Sequence, residues 1–99
     1  MSLLPHYTAI GHSIPEAEPG QLFGKPCFKI GGKAFICWFR DGMVFKLPPE
    51  VHREAMALEG AQLFDPSGNH RPMKEWVQVP SAHADKWETL AKAAVEFVG

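Results

Sequence analysis

Two short segments carry the side chains best suited to binding an anion or a protein partner. Segment 70–76 (HRPMKEW) places two cations and a large aromatic residue after a loop rich in Gly and Pro and before a predicted strand. Lys25 lies in another segment flanked by Gly and Pro. We predict a binding surface built from Lys25, His70, Arg71, Lys74 and Trp76. The alternative is a solvated loop with Trp76 in the core. Charged residues of this kind are usually just exposed to solvent, which favours this alternative.

Two patterns that resemble ligand-binding loops fail on spacing. Segment 20–26 (GQLFGKP) has three residues between its glycines where a phosphate-binding loop has four, and Pro where that loop needs Ser or Thr. Segment 65–76 begins like a calcium loop, but its Gly falls at the fourth position and its twelfth position is Trp76. We therefore predict a turn at 65–69 and no cofactor.

The remaining reactive side chains form no catalytic pattern. The five histidines are scattered, and none pairs with another His or with Cys at metal-ligand spacing. Cys27 and Cys37 lie inside predicted apolar strands, where cysteine usually acts as a small buried hydrophobe. These observations predict no catalytic residue and no metal site, and the chain is not expected to be an enzyme.

Composition is that of one small globular domain spanning residues 1–99. Hydrophobic residues make up 45% of the chain, and the formal net charge is -1. Nucleic-acid-binding domains usually carry a basic excess, so near-neutrality counts against that role. No apolar run approaches the roughly 20 residues that a membrane-spanning helix needs, and no secretory signal is recognisable. With two cysteines and no disulfide framework, we expect a cytoplasmic protein.

Periodicity and turn residues predict an α+β fold in the order αβββαβα, with an antiparallel meander, one further strand and three helices. Gly31-Gly32 and Asp41-Gly42 separate three apolar strands at about 26–31, 33–39 and 42–47. Segment 15–20 is expected to be a connecting loop. The helices are expected at about 3–14, from Pro49 towards Gly60, and after Ser81, and the fourth strand at 75–79.

Two-residue turns at both dipeptides would fix the strand register. Phe28 would then face Phe35, and Cys27 and Cys37 would lie on opposite faces, which disfavours an intrachain disulfide. Both faces of the meander are apolar. Helices could cover both of them, or one could be left for a homodimer or another protein partner. The candidate interface residues share one predicted face; they are Phe28, Phe35, Phe39 and Val44.

Segment 22–35 (LFGKPCFKIGGKAF) resembles the beginning of the TfoX/Sxy N-terminal-domain family, which typically has Met-Phe-Gly-Gly, a strand, a Gly-containing turn and an apolar strand. Segments 41–47 (DGMVFKL), 73–76 (MKEW) and 79–80 (VP) are similar to later elements of the family. Two departures are the Gly-Lys-Pro after Phe23 and Glu75 before Trp76. The resemblance covers about 3–98 and extends to the broader MmcQ/YjbR-like fold, some members of which are regarded as DNA-binding. It implies a regulatory role, because two-domain members regulate natural competence, and it brings no catalytic residues.

The leading functional hypothesis is therefore a non-enzymatic regulatory or protein-interaction domain. The alternative is a nucleic-acid-binding module that uses local cations with interleaved aromatic residues. The cations of that alternative are Lys25, Lys33, Lys46, Arg71 and Lys74. A third hypothesis is an anion-binding pocket at His70, Arg71 and Lys74.

Overall fold

Three helices pack on a six-stranded antiparallel sheet in the computed structural model, which describes residues 3–22, 24–40, 42–65 and 73–99. The elements in chain order are α1 (Leu4–Ser13), β1 (Glu18–Leu22), β2 (Lys25–Ile30), β3 (Lys33–Phe39), β4 (Gly42–Lys46), α2 (Pro49–Met56), β5 (Gln62–Phe64), β6 (Met73–Val79), a 3₁₀ helix (Ser81–Lys86) and α3 (Trp87–Val98). The strands are arranged β1-β2-β3-β4-β6-β5. The α+β class and the order of helices, meander and later strand are confirmed.

Two strands were not predicted, and both lie at the edges of the sheet. β1 includes the end of the segment expected to be a loop, and it pairs with β2 from Glu18 opposite Lys29 to Leu22 opposite Lys25. β5 has three residues and pairs only with β6. Edge strands hydrogen-bond on one side, so they can be short and can contain Pro and Gly, as β1 does.

The first hairpin has the predicted turn but not the predicted register. Gly31 and Gly32 both have positive φ, and Ile30 pairs with Lys33. Beyond Lys29 and Ala34 a β-bulge inserts Phe35 as an extra residue of β3, so that Phe28 pairs with Ile36. Cys27 consequently pairs with Cys37. The expectation that the two cysteines lie on opposite faces was wrong, because a bulge exchanges the faces of every residue beyond it.

The second hairpin turns one residue earlier than expected. Phe39 pairs with Gly42, which places Arg40 in the turn with φ 49°, while Asp41 lies outside the described residues. Gly42 is instead a strand residue, and a Cβ there would lie 2.9 Å from the carbonyl oxygen of Val79. Close approach of two strands, rather than turn geometry, is thus the reason for glycine at this position.

All three helices cover the same face of the sheet. Each helix contributes buried side chains that pack on the strands there. They are Tyr7 and Ile10 from α1, Ala55 from α2, and Trp87, Leu90, Ala91 and Ala94 from α3. The strand residues of this cluster are Phe28, Phe35, Ile36, Met43, Phe45, Val77 and Val79. The sequence spacing of the last helix predicts a buried stripe of Trp87, Leu90, Ala91, Ala94 and Val98. The stripe is confirmed, since the first four are buried and Val98 is partly buried against the same core.

The opposite face carries a second buried cluster that is made of strand residues alone. Its buried members are Cys27, Cys37, Phe39, Val44, Phe64 and Trp76, with Leu22 and Ala34 packed against them. All six strands contribute to it, and no helix residue belongs to it within the described ranges. Helices therefore cover one face only, and the strands themselves bury the other.

Candidate functional site

An open apolar groove lies where α2, the beginning of β6 and the end of α3 meet. Its floor consists of Leu47, Pro49, Met56 and Phe97, and its volume is about 500 Å³. Phe97 is 43% exposed, which is unusual for a Phe on the apolar stripe of a helix. In α2, Ala55 faces the core, while Met56, one residue further, lines the groove.

Polar side chains form the rim of this groove and give it a positive balance. His52 donates a hydrogen bond from Nε2 to the carbonyl oxygen of Lys74 at 2.8 Å, which joins α2 to β6. Glu75 Oε2 lies 3.6 Å from Lys46 Nζ, so its charge is partly compensated. Arg53 and Lys74 form no salt bridge with any carboxylate of the described residues. Within the described part of the chain, these two cations have no carboxylate partner and can bind a ligand.

The predicted binding residues do not all meet at this groove. Lys74 is on its rim, whereas Trp76 is 5% exposed and belongs to the second cluster. Trp76 and Lys74 do line a neighbouring depression together with Lys46 and Glu75. His70 and Arg71 lie outside the described residues. For Trp76, the alternative of a core residue is therefore the correct one.

Lys25 lies elsewhere, against the aromatic cluster. Its Nζ is 5.3 Å from the centre of the Phe39 ring, and the guanidinium of Arg40 is 5.1 Å from the same ring. Both distances are within the range of cation–π attraction. Lys25 is thus fixed by a contact within the chain.

The described cations of the nucleic-acid alternative are distributed over separate regions. Lys25 begins β2, and Lys33 follows the turn at the other end of β2, roughly 20 Å away along the strand. Lys33 lines a depression with Ile30 and Val98 on the helix side. Lys46 and Lys74 come together near Trp76. The arrangement gives no continuous basic surface among these four residues.

The four candidate interface residues are core residues of this chain. Phe28 and Phe35 lie beneath the helices, while Phe39 and Val44 belong to the second cluster, and none of the four is more than 8% exposed. The bulge at Phe35 is the reason that they do not share a face. The prediction that they form one exposed surface was wrong.

Both thiols are buried and held in the protonated form. Burial, with contributions from the neighbouring Cys27, raises the pKa of Cys37 to about 12. Burial also raises the pKa of Cys27, although the charge of Lys29 opposes the shift. A protonated thiol is a poor nucleophile, so neither cysteine is poised for catalysis at neutral pH.

Sequence reasoning missed the floor of the groove. Leu47, Met56 and Phe97 are far apart in sequence, and only packing brings them together. The sequence does contain one signal for this groove. Phe97 lies at helical spacing from Leu90 and Ala94 but near the end of the last helix, where it extends past the sheet.

Among the described residues, His, Cys, Asp and Glu form no group of three or more that could hold a metal ion. None of the helices there has the length and hydropathy required to cross a bilayer. The chain matches no protein-family model, and no curated protein and no solved structure is significantly similar to it. The resemblance to the TfoX/Sxy N-terminal domains stays a prediction from short motifs.

Proposed function

We propose that this chain is a non-enzymatic interaction domain that binds an acidic, amphipathic segment of a protein partner in the groove beside α2. The observation that carries the proposal is an open apolar floor with two cations on its rim, Arg53 and Lys74, that pair with no carboxylate of the described residues. The resemblance to competence regulators adds the expectation that such binding is regulatory.

The floor suits an apolar face of a peptide. Phe97 exposes a large apolar surface, and Met56 is an unbranched, polarizable side chain that adapts to differently shaped partners. Amphipathic helices commonly bind by laying their apolar face into such a groove. Leu47 beneath them is fully packed, so the floor is preformed rather than induced.

The rim selects the charge of the peptide. Arg53 and Lys74 stand beside the floor, and Glu75 is held by Lys46, so acidic side chains flanking an apolar face meet complementary charge. Such complementarity favours the correct partner and repels basic segments. A second copy of this chain is less suited to the groove, because the groove offers no self-complementary pair of free charges.

The non-enzymatic part of the proposal is supported by the state of the reactive groups. His6, His52 and His83 each direct Nε2 at a backbone carbonyl oxygen, of Ala84, Lys74 and Glu59 respectively. Both thiols are buried and protonated at neutral pH. These contacts give the side chains structural roles.

A selection from a display library of random peptides tests the proposal without assuming a sequence. We expect the selected peptides to combine Asp or Glu with Leu or Phe and to bind less tightly as salt is raised. Binding should fall at least about tenfold in the double variant Arg53→Glu/Lys74→Glu, which corresponds to ~1.4 kcal/mol. It should also fall in Phe97→Ser.

Lys86→Glu is the matched control, because Lys86 is an exposed cation that lies away from this groove. Basic peptides, or peptides that bind the double variant as tightly as wild type, would reject the groove. A dimer in light scattering that Phe97→Ser converts to a monomer would assign the groove to a second copy instead.

A further inference from the structure

The two cysteines form a cross-strand pair that no part of the proposed function uses. The bulge at Phe35 places Cys27 directly opposite Cys37 in the β2–β3 ladder. Both belong to the second cluster and are at most 1% exposed. Besides burial, each thiol contributes to the pKa shift of the other, as expected for opposed residues on one face of a ladder.

The backbone spacing at these positions fits a disulfide. Directly opposed residues of an antiparallel pair have Cα atoms roughly 4.5–5.5 Å apart. Disulfides span Cα separations of about 4.4–6.8 Å. The bond would therefore join strands that are already neighbours and would not require the fold to change.

Cys27 lies nearer the edge of the sheet than Cys37. Its neighbour across the β1–β2 ladder is Gly20, on an edge strand, and a Cβ at Gly20 would lie 3.8 Å from Cys27 Sγ. Glycine therefore places no side chain of its own over the sulfur. The side chain of Lys29 fills that place, with Cε 3.2 Å from the same Cβ position, and a flexible Lys can move aside.

The two cysteines also differ in electrostatic environment. The ammonium group of Lys29 favours the thiolate of Cys27. Cys37 is on β3, inside the sheet between β2 and β4, and burial holds it more strongly in the thiol form. Burial raises the pKa of both thiols, so only a small fraction of either is ionised at neutral pH. A thiol beside the edge strand with a second thiol directly behind it is nevertheless the arrangement of a redox pair.

We propose that Cys27 and Cys37 form a reversible two-electron redox site, in which Cys27 attacks a low-molecular-weight disulfide such as glutathione disulfide and Cys37 resolves the product. Cys27 loses its proton, and the resulting thiolate breaks the glutathione S–S bond, forms a mixed disulfide and releases one glutathione as a thiolate that takes up a proton. Cys37 then loses its proton, attacks Cys27 Sγ and releases the second glutathione. Two protein thiols are oxidised, one glutathione disulfide is reduced to two glutathione molecules, and no other reactant is needed.

The experiment treats the native, reduced chain with glutathione disulfide and follows intact mass and peptide mapping over time. Wild type is expected to lose the mass of two hydrogen atoms and to yield a peptide linked through Cys27 and Cys37. Cys37→Ser should accumulate one glutathione on Cys27. Cys27→Ser should remain unmodified over the same period, because Cys37 lies deeper.

Several results would contradict the proposal that the two cysteines form a redox site. Native wild type could stay reduced while the same protein in guanidinium is oxidised, which would show that only unfolding exposes the thiols. Disulfide-linked dimers in place of the internal bond, or equal reaction of Cys27→Ser and wild type, would also reject it. Rapid quenching of wild type with acid gives a check that needs no variant, since the transient mixed disulfide must map to Cys27.

Discussion

The two faces of the sheet bury their apolar residues in different ways. On one face, three helices form a second layer, with Tyr7 and Ile10 from α1, Ala55 from α2 and the buried stripe of α3. On the other, the cluster draws only on strand residues. The rings of Phe39 and Phe64 lie 5.3 Å apart, although β3 and β5 are three steps apart in the sheet. In a flat sheet those strands would be about 14 Å apart, so the sheet must curl strongly.

The comparison shows that an apolar sheet face can be buried in a third way, by curling of the sheet itself, besides being covered by helices or by a partner. Curling brings the edge strand β5 close enough to β3 that Phe64 contacts both Phe39 and Trp76. Such a face needs no second layer, but its packing depends on a three-residue strand. The helix-covered face should therefore be the more robust of the two.

The largest expected effect comes from truncating one Phe on each face. Phe45 and Phe64 are both fully buried. Phe45→Ala should lower the free energy of unfolding by about 4 kcal/mol, and Phe64→Ala by about 3 kcal/mol, because the short edge strand can partly collapse into the cavity. Guanidinium unfolding followed by circular dichroism measures both. A loss below about 0.5 kcal/mol for Phe64→Ala would show that the second face is not a core.

A smaller effect is expected where α1 approaches the sheet. A Cβ at Gly11 would overlap the ring of Phe28, so Gly11→Ala must displace the helix or the ring. We expect a loss of roughly 1–3 kcal/mol from this overpacking, despite the better helix propensity of Ala. Unfolding of the double variant Gly11→Ala/Phe28→Leu should recover part of the loss. If Gly11→Ala is instead stabilising, the close approach is not present in solution.

Alkaline pH should weaken the second face selectively. The folded pKa of Cys37 is raised from 9.0 to about 12, so this thiol ionises first in the unfolded chain. The contribution of this thiol to the free energy of unfolding is present below pH 9 and is lost as the pH rises from about 9 towards 12. At pH 10 the free energy of unfolding should be lower by about 1 kcal/mol. Unfolding under a reducing agent at pH 7 and pH 10 measures it. Cys27→Ala/Cys37→Ala should show a smaller decrease, and an equal decrease would contradict the assignment.

The sequence was sufficient for the helix-covered face but not for the second one. Apolar periodicity predicted the stripe of α3, and Gly31-Gly32 predicted the first turn, because both signals are local. The bulge at Phe35 has no local signal, since it arises from burying Phe35 and Ile36 on the same side. The curl of the sheet and the groove at Phe97 likewise depend on contacts between distant segments. Of the predicted binding residues within the described ranges, Lys74 alone lines the groove.

The smallest expected effects concern two residues with left-handed backbone conformations. Glu16 has φ 68° in the turn between α1 and β1, and Arg40 has φ 49° between β3 and β4. Replacing a non-glycine residue there by Gly relieves steric strain at the expense of a more flexible unfolded chain, so Glu16→Gly should gain about 0.5 kcal/mol.

Arg40→Gly should gain nothing, although it relieves the same strain. Its guanidinium lies on the Phe39 ring, and the substitution removes that contact with the second face. The difference in unfolding free energy between the two variants therefore measures what the Arg40 contact contributes to the strand-only cluster. Equal stabilisation by both would mean that this exposed cation adds nothing to the cluster, and that Lys25 is the cation that supports the Phe39 ring.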